Sequence, residues 1–279
     1  MKKINVFTFI FLMPIFLFAQ QSSILWKIEK DSVHSYVLGS LHLYGGNLLE
    51  KDSTIYNALI SSKIIFEENL ASSDTIINKR LPKSLLNKLT NIEKQGLERV
   101  IDNKMELDKL TLKELHILTD KYLERQSCLD ENEKKDTIFM EDYIINLALK
   151  KNILIKGLET TSETLTAIEK YAYTDFSEDK LFSFLRYKLS KFINYIPKGN
   201  CDIENLYRNK KFNYEFNKIN ESEIIKNRNF KWMLLIPKML DKYKNIFITV
   251  GLEHLNYKTG LIELLKSKGY NVTPVILKQ

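Results

Sequence analysis

Scarcity sets the first limits on this 279-residue chain, which has 2 cysteines, 2 tryptophans, 4 histidines, 5 prolines and 9 glycines. Cys128 and Cys201 do not have the spacing of a metal-binding motif, and an even pair allows at most one disulfide. No low-complexity run and no repeat of solenoid period occurs. No stretch after the N-terminus is apolar enough to cross a membrane. No basic stretch carries the interleaved aromatics of a nucleic-acid surface. The formal charge of +7 therefore reflects a lysine-rich composition rather than a polyanion partner. Hydrophobic residues at 44% and charged residues at 28% suit an ordinary globular domain with a sizeable core.

The N-terminus has the pattern of a secretory leader. Lys2 and Lys3 precede an apolar run from Val6 to Phe18, interrupted only by Thr8 and Pro14, and Ala19-Gln20 offers a small-residue cleavage point. The expectation is a signal peptide over 1–19 and a single mature domain over 20–279, exported to the periplasm, the cell surface or the medium. The run is shorter than the roughly 20 residues a span needs. An exported chain permits a Cys128–Cys201 bridge; paired and free thiols both stay open, and a bridge would staple the helical middle.

Scarcity also makes one coincidence informative. Composition alone predicts about 0.13 occurrences of Gly-x-x-His, yet the chain has two. Tyr36-Val-Leu-Gly-Ser-Leu-His42 and Ile246-Phe-Ile-Thr-Val-Gly-Leu-Glu-His254 each run from an apolar, strand-like segment through a glycine to a histidine. A histidine just past a strand end lies where open α/β sheets bind ligands. The two loops are expected to face one site.

Between them, Ile64–Phe66 reads as a buried strand ending in Glu67, and Ile153–Ile155 as another, followed by Gly157 and Glu159. Leu81–Leu129 and most of 161–243 carry helical spacing; Thr160 or Thr161 is placed to cap a helix, and Pro237 to kink or restart one. His34 belongs in or beside an exposed turn and His116 on a helix face. Ile246–Val250, the helix Leu261–Lys268 and a last strand Asn271–Leu277 form a strand–helix–strand unit, so part of the sheet should be parallel. The fold class is α/β: a mixed, partly parallel central sheet flanked by helices. A large helical insertion (81–150 and 161–243) separates the two Gly-x-x-His halves.

Taken in order over about Leu25–Val275, these pieces resemble the TraB/PrgY/GumN family, which is related to the Tiki proteins and more distantly to erythromycin-esterase and ChaN-like proteins. The resemblance rests on Leu-Trp-Lys-Ile-Glu, both Gly-x-x-His segments, Phe-Glu-Glu-Asn-Leu, Lys-Gly-Leu-Glu-Thr, Asn-Arg-Asn around Arg228, and Lys-Gly-Tyr-Asn-Val-Thr-Pro-Val. Glu67 takes the family's Glu position, and Asn69 stands where Asp is common. Asn256-Tyr257-Lys258 replaces the Pro-Gly that many members carry after the second histidine, and Tyr44 precedes Gly45-Gly46 where a Gly commonly follows the first.

Two imidazoles and strand-end carboxylates suit a hydrolytic divalent-metal site with Mn, Co or Zn. By resemblance to the Tiki peptidases, His42, Glu67 and His254 are expected as metal ligands. Glu159 would be a further ligand or general base, and Arg228 an oxyanion or carboxylate partner. Two alternatives stand beside this: a metal-free, esterase-like hydrolase using His and Glu, and a non-catalytic peptide- or pheromone-binding protein. The implied partner is a peptide or another small extracytoplasmic substrate.

Overall fold

In the computed structural model, residues 22–31, 33–101, 105–136, 138–192 and 199–277 are described. The predicted leader over 1–19 and the helix break at Pro197 lie outside them.

Six short strands form one sheet: β1 (Leu25–Lys30), β2 (Val33–Ser40), β3 (Ile64–Glu67), β4 (Leu154–Gly157), β5 (Ile246–Gly251) and β6 (Asn271–Pro274), in the order β4-β3-β5-β2-β1-β6. The β2–β5, β5–β3 and β3–β4 pairs are parallel, whereas β1 is antiparallel to both β2 and β6. The sheet is thus mixed, as expected. The C-terminal strand–helix–strand unit does not itself make a parallel pair, because β2 and β1 stand between β5 and β6. The parallel neighbours are instead strands far apart in sequence, joined through the helical insertion.

Two-residue alternation divides the sheet's apolar side chains between its faces. Leu38, Ile65 and Phe247 face the helices Ser53–Ile60 and Met140–Lys150, in a core with Ile55, Ile144 and Ala148. Val37, Phe66, Ile248 and Val250 face the opposite way, packing with Trp232, Ile236, Leu261 and Leu265. The helical insertion has its own core, built on Leu97, Leu115, Leu185 and Leu189. His116 belongs to this layer: it is buried, with Nε2 2.7 Å from the Leu181 carbonyl oxygen. His34 is exposed, near the start of β2 beside the turn, as expected.

Local signals account for the helix starts. Thr90, Thr111, Asp130 and Thr160 each accept from the backbone three residues on while a glutamate there reaches back, forming capping boxes. Asp52 caps Ser53–Ile60, its side chain accepting from the Thr54 and Ile55 amides. Pro237 begins a new helix, Ile236–Tyr243, after Glu223–Trp232 has ended, so it restarts rather than kinks. Cys128 and Cys201 are joined in a disulfide linking the end of helix Leu112–Cys128 to the start of Asp202–Arg208. Among the described residues no helix is long and apolar enough to cross a membrane.

Candidate functional site

Parallel pairing sets Gly39 beside Val250 and Ser40 beside Gly251, so the two Gly-x-x-His loops leave the same edge of the sheet from adjacent strands. β3 ends at that edge as well, and its backbone pairing continues past the strand: Glu67 O accepts from Leu158 N at 2.7 Å and Glu68 O from Glu159 N at 2.9 Å. Gly157 permits this approach, since a Cβ there would stand 2.7 Å from Glu159 O and 3.3 Å from Asn69 Cα. Four strand ends thereby bring His42, Glu68, Glu159 and His254 together.

Gly251 lies at the centre. A Cβ at this position would be 3.3 Å from Glu68 Oε1, 3.6 Å from His42 Nε2 and 3.7 Å from His254 Cδ2. Glycine matters here for space, because its φ of −51° suits any residue. Its amide donates to Glu68 Oε1 at 2.7 Å, tying the end of β3 to the end of β5.

The helix Glu223–Trp232 lays Arg228, Asn229 and Trp232 over this edge. Arg228 donates from Nε to Glu159 Oε1 (2.9 Å) and from Nη2 to Glu68 Oε2 (2.6 Å), and Nη2 is also 2.7 Å from Glu159 Oε1. Nη1 donates to His254 Nε2 at 3.1 Å. Burial opposes the guanidinium's charge, but Glu68 and Glu159 outweigh it and raise its pKa. Trp232 Nε1 donates to Glu159 Oε2 at 3.2 Å, and Thr164 Oγ1 donates to Glu159 Oε1 at 2.8 Å. Asn69 donates to Thr164 Oγ1 at 3.2 Å, binding the β3 loop to the same network.

These contacts fix the state of His254. With Nε2 accepting from Arg228, Nδ1 carries the proton and donates to Asn229 Oδ1 at 2.6 Å; Asn229 Nδ2 in turn donates to the carbonyls of His254 and Thr259. Burial, aided by the Arg228 charge, lowers the His254 pKa to about 3, so the ring is neutral at ordinary pH. Its ring packs 4.5 Å from that of Trp232. His254 orients Arg228 and is not free to act as a base in this arrangement.

His42 is different. Its Nδ1 lies 2.7 Å from Glu141 Oε1, at the start of helix Met140–Lys150, and its side chain is 40% exposed. Glu141 raises the His42 pKa, against the opposing effect of burial. Burial disfavours the charge on Glu141, but His42 overcomes it and lowers the carboxyl pKa to about 2. With the Glu141 carboxylate against Nδ1, Nε2 is the open position, and it faces the space at Gly251.

Glu67 and Glu68 take opposite parts. The Glu68 carboxyl is held well below its ordinary range; burial opposes ionisation, but Arg228 and the Gly251 amide prevail. Glu67 points to the other face of the sheet, buried beneath the Met140–Lys150 helix. Burial, with Glu141 and Glu68 nearby, pushes its pKa well above the ordinary carboxylate range. Thr249 opposes that rise, but neither Thr249 Oγ1 nor Glu67 Oε1 has a hydrogen-bond partner.

Of the residues singled out from sequence, the structure therefore gathers His42, Glu159, Arg228 and His254 at one edge and sets Glu67 behind it. Glu68, Glu141, Asn229 and Trp232 complete the arrangement. Glu68 adjoins Glu67, Asn229 belongs to Asn-Arg-Asn, and Trp232 follows Arg228 by one helical turn, so their neighbours pointed to them. Nothing local marks Glu141.

A bound metal can be tested against this geometry. The nearest donor set is His42 Nε2, His254 Nε2 and Glu68, a nitrogen–oxygen set around a space that a Cβ would fill. It is wider than a closed coordination shell: among the described residues, the group of three His, Cys, Asp or Glu ligand atoms lying within 4.8 Å of one another is Cys128, Cys201 and Glu204. The Arg228 guanidinium also occupies the contact to His254 Nε2.

The model of the TraB/PrgY/gumN family matches residues 24–274, nearly all of the described chain. No curated protein and no solved structure matches it.

Proposed function

The chain belongs to the TraB/PrgY/gumN family, and on that premise we propose that it is an exported hydrolase of peptide or ester bonds whose water-activating base is His42. One observation carries this reading: Glu141 Oε1 lies 2.7 Å from His42 Nδ1 and raises the imidazole pKa, while Nε2 faces the space beside Gly251. Such a base takes the proton from water as oxygen attacks the carbonyl carbon, then returns it to the leaving nitrogen or oxygen. Glu141 stabilises the imidazolium formed in between. Neutral His254 and Glu68 hold Arg228 in place, so the guanidinium presents a fixed positive field to the developing oxyanion. Glu159, tied to Arg228, Trp232 and Thr164, serves as the anchor of that field rather than as the base. Export is supported by the leader pattern of residues 1–19 and by the Cys128–Cys201 disulfide.

A second reading, a divalent metal held by His42, His254 and Glu68, is favoured by the convergence of these groups on Gly251. Such an ion would polarise the carbonyl and acidify water. It would compete with Arg228 for His254 and Glu68.

The decisive experiment combines metal analysis of the purified mature protein with hydrolysis of a peptide and ester panel, with and without chelator. Turnover that survives chelator and disappears in His42→Ala is expected. Stoichiometric metal, lost in both His42→Ala and His254→Ala together with activity, would replace the first reading by the second. No turnover with any divalent ion, and peptide binding unchanged in both variants, would sink both.

A further inference from the structure

Away from the strand ends, two helix termini bring a second group of ligand-type residues together. Glu124 and Cys128 are one turn apart at the end of helix Leu112–Cys128, whereas Cys201 and Glu204 are three residues apart at the start of Asp202–Arg208. Residues three or four apart share a helix face, so each terminus presents one sulfur and one carboxyl to the other. A sulfur from each cysteine and a Glu204 oxygen all lie within 4.8 Å of one another. Glu204 is 2% exposed, and its Oε2 has no hydrogen-bond partner. A buried, unpartnered carboxylate oxygen is costly and calls for a ligand. The Glu124 carboxyl stands next to that of Glu204 from the facing helix.

The sulfurs are joined in the structure, so the cluster is closed to metal as it stands. We propose that reduction of the Cys128–Cys201 disulfide by a dithiol turns this corner into a site for a thiolate-seeking divalent cation of the zinc class, ligated by both sulfurs and the Glu204 carboxylate. In the exchange the dithiol is oxidised to a disulfide, and the protein disulfide takes up two electrons and two protons. Metal binding then releases the two thiol protons to solvent. Two soft sulfurs and one carboxylate select zinc over hard oxygen-seeking ions. The ligand distances of a tetrahedral zinc site, about 2.3 Å to sulfur and 2.0–2.2 Å to oxygen, require the sulfurs to part while the oxygen closes in. The Cα atoms are 5.3 Å apart, so side-chain rotation suffices. Glu124 is the positioning carboxylate that orients Glu204. The metal would clasp the same two helices that the disulfide clasps, giving the reduced chain an alternative staple.

The test titrates cobalt(II) into oxidised and dithiol-reduced mature protein under anaerobic conditions, after removal of the reductant. Near-ultraviolet sulfur-to-cobalt charge transfer is followed, and zinc is then added to displace the cobalt. One equivalent of cobalt should give the band in reduced protein only, and zinc should abolish it. Glu204→Gln should weaken binding by about tenfold or more, with a smaller loss in Glu124→Gln, and the Cys128→Ser/Cys201→Ser double variant should show no band. Near-ultraviolet circular dichroism monitors folding throughout: reduced protein that has lost its signal should regain it with one equivalent of zinc. The proposal is overturned if reduced protein gives no band, if Glu204→Gln binds as tightly as wild type, or if zinc fails to restore a lost fold. Ions bound by the oxidised protein report on the strand-end site, so failure here is separable from failure of the hydrolase reading.

Discussion

Replacing Glu141 by glutamine tests the pairing on which the assignment of His42 as base rests. The substitution keeps size and hydrogen-bonding capacity and removes one negative charge 2.7 Å from His42 Nδ1. Unit charges at that separation interact by about 1.5 kcal/mol under full solvent screening and about fourfold more at an effective dielectric of ~20. His42 is 40% exposed, so the lower figure is the appropriate one, equivalent to about one pKa unit. Glu141 raises the His42 pKa above its ordinary 6.5; its loss should therefore lower that pKa by about one unit. The assay is an NMR titration of the imidazole protons, with His42→Ala identifying the resonance among those of the 4 histidines. No substrate is needed. A change smaller than about 0.3 unit, or an upward one, would refute the reasoning, since an anion in contact must favour the imidazolium. Where a hydrolysed substrate is found, the acidic limb of its pH profile should shift by the same amount with a lower plateau, because a weaker base is available at lower pH.

Three further outcomes follow from the network behind His42. Arg228→Ala leaves Glu68 and Glu159 buried without their cation and should cost about 3–5 kcal/mol in urea unfolding; Arg228→Lys should recover little, because lysine cannot reproduce contacts from Nε, Nη1 and Nη2 together. Gly251→Ala places a methyl 3.3 to 3.7 Å from Glu68, His42 and His254, so the melting temperature should change little while turnover or metal uptake falls steeply. His254, with a pKa lowered to about 3 from 6.5, takes up its proton more readily in the unfolded chain. Its stabilising contribution is whole above pH 6.5 and is lost as pH falls toward 3. The urea midpoint should therefore drop between pH 7 and pH 5, with a smaller slope in His254→Gln; equal slopes would contradict the neutral, buried assignment.

The two Gly-x-x-His segments were legible because strand-like runs before glycine are local and scarce histidines make coincidence improbable. The strand segments themselves, the helix cap at Thr160, and the apolar faces of the insertion are equally local, since each depends on residues a few positions apart. What local pattern could not supply is which strands are neighbours. The final strand–helix–strand unit implied a parallel pair, yet β5 found its partners in β2 and β3, and β6 joined β1 at the far side. Only that pairing brings the ends of β2 and β5 together and thereby makes one site of the two histidines. The same limit explains the acids: Glu67 and Glu68 are adjacent, but the pleat sends their side chains to opposite environments, one with its pKa raised by burial beneath a helix, the other with its pKa lowered against Arg228. Glu141 carried no signal at all, because its partner is 99 positions away and meets it only when the helix Met140–Lys150 packs on the sheet. Sequence by itself determined the elements, the family and the identity of both histidines. The tertiary structure decided which acid each histidine meets, because burial and charge are properties of neighbours that the chain acquires only on folding.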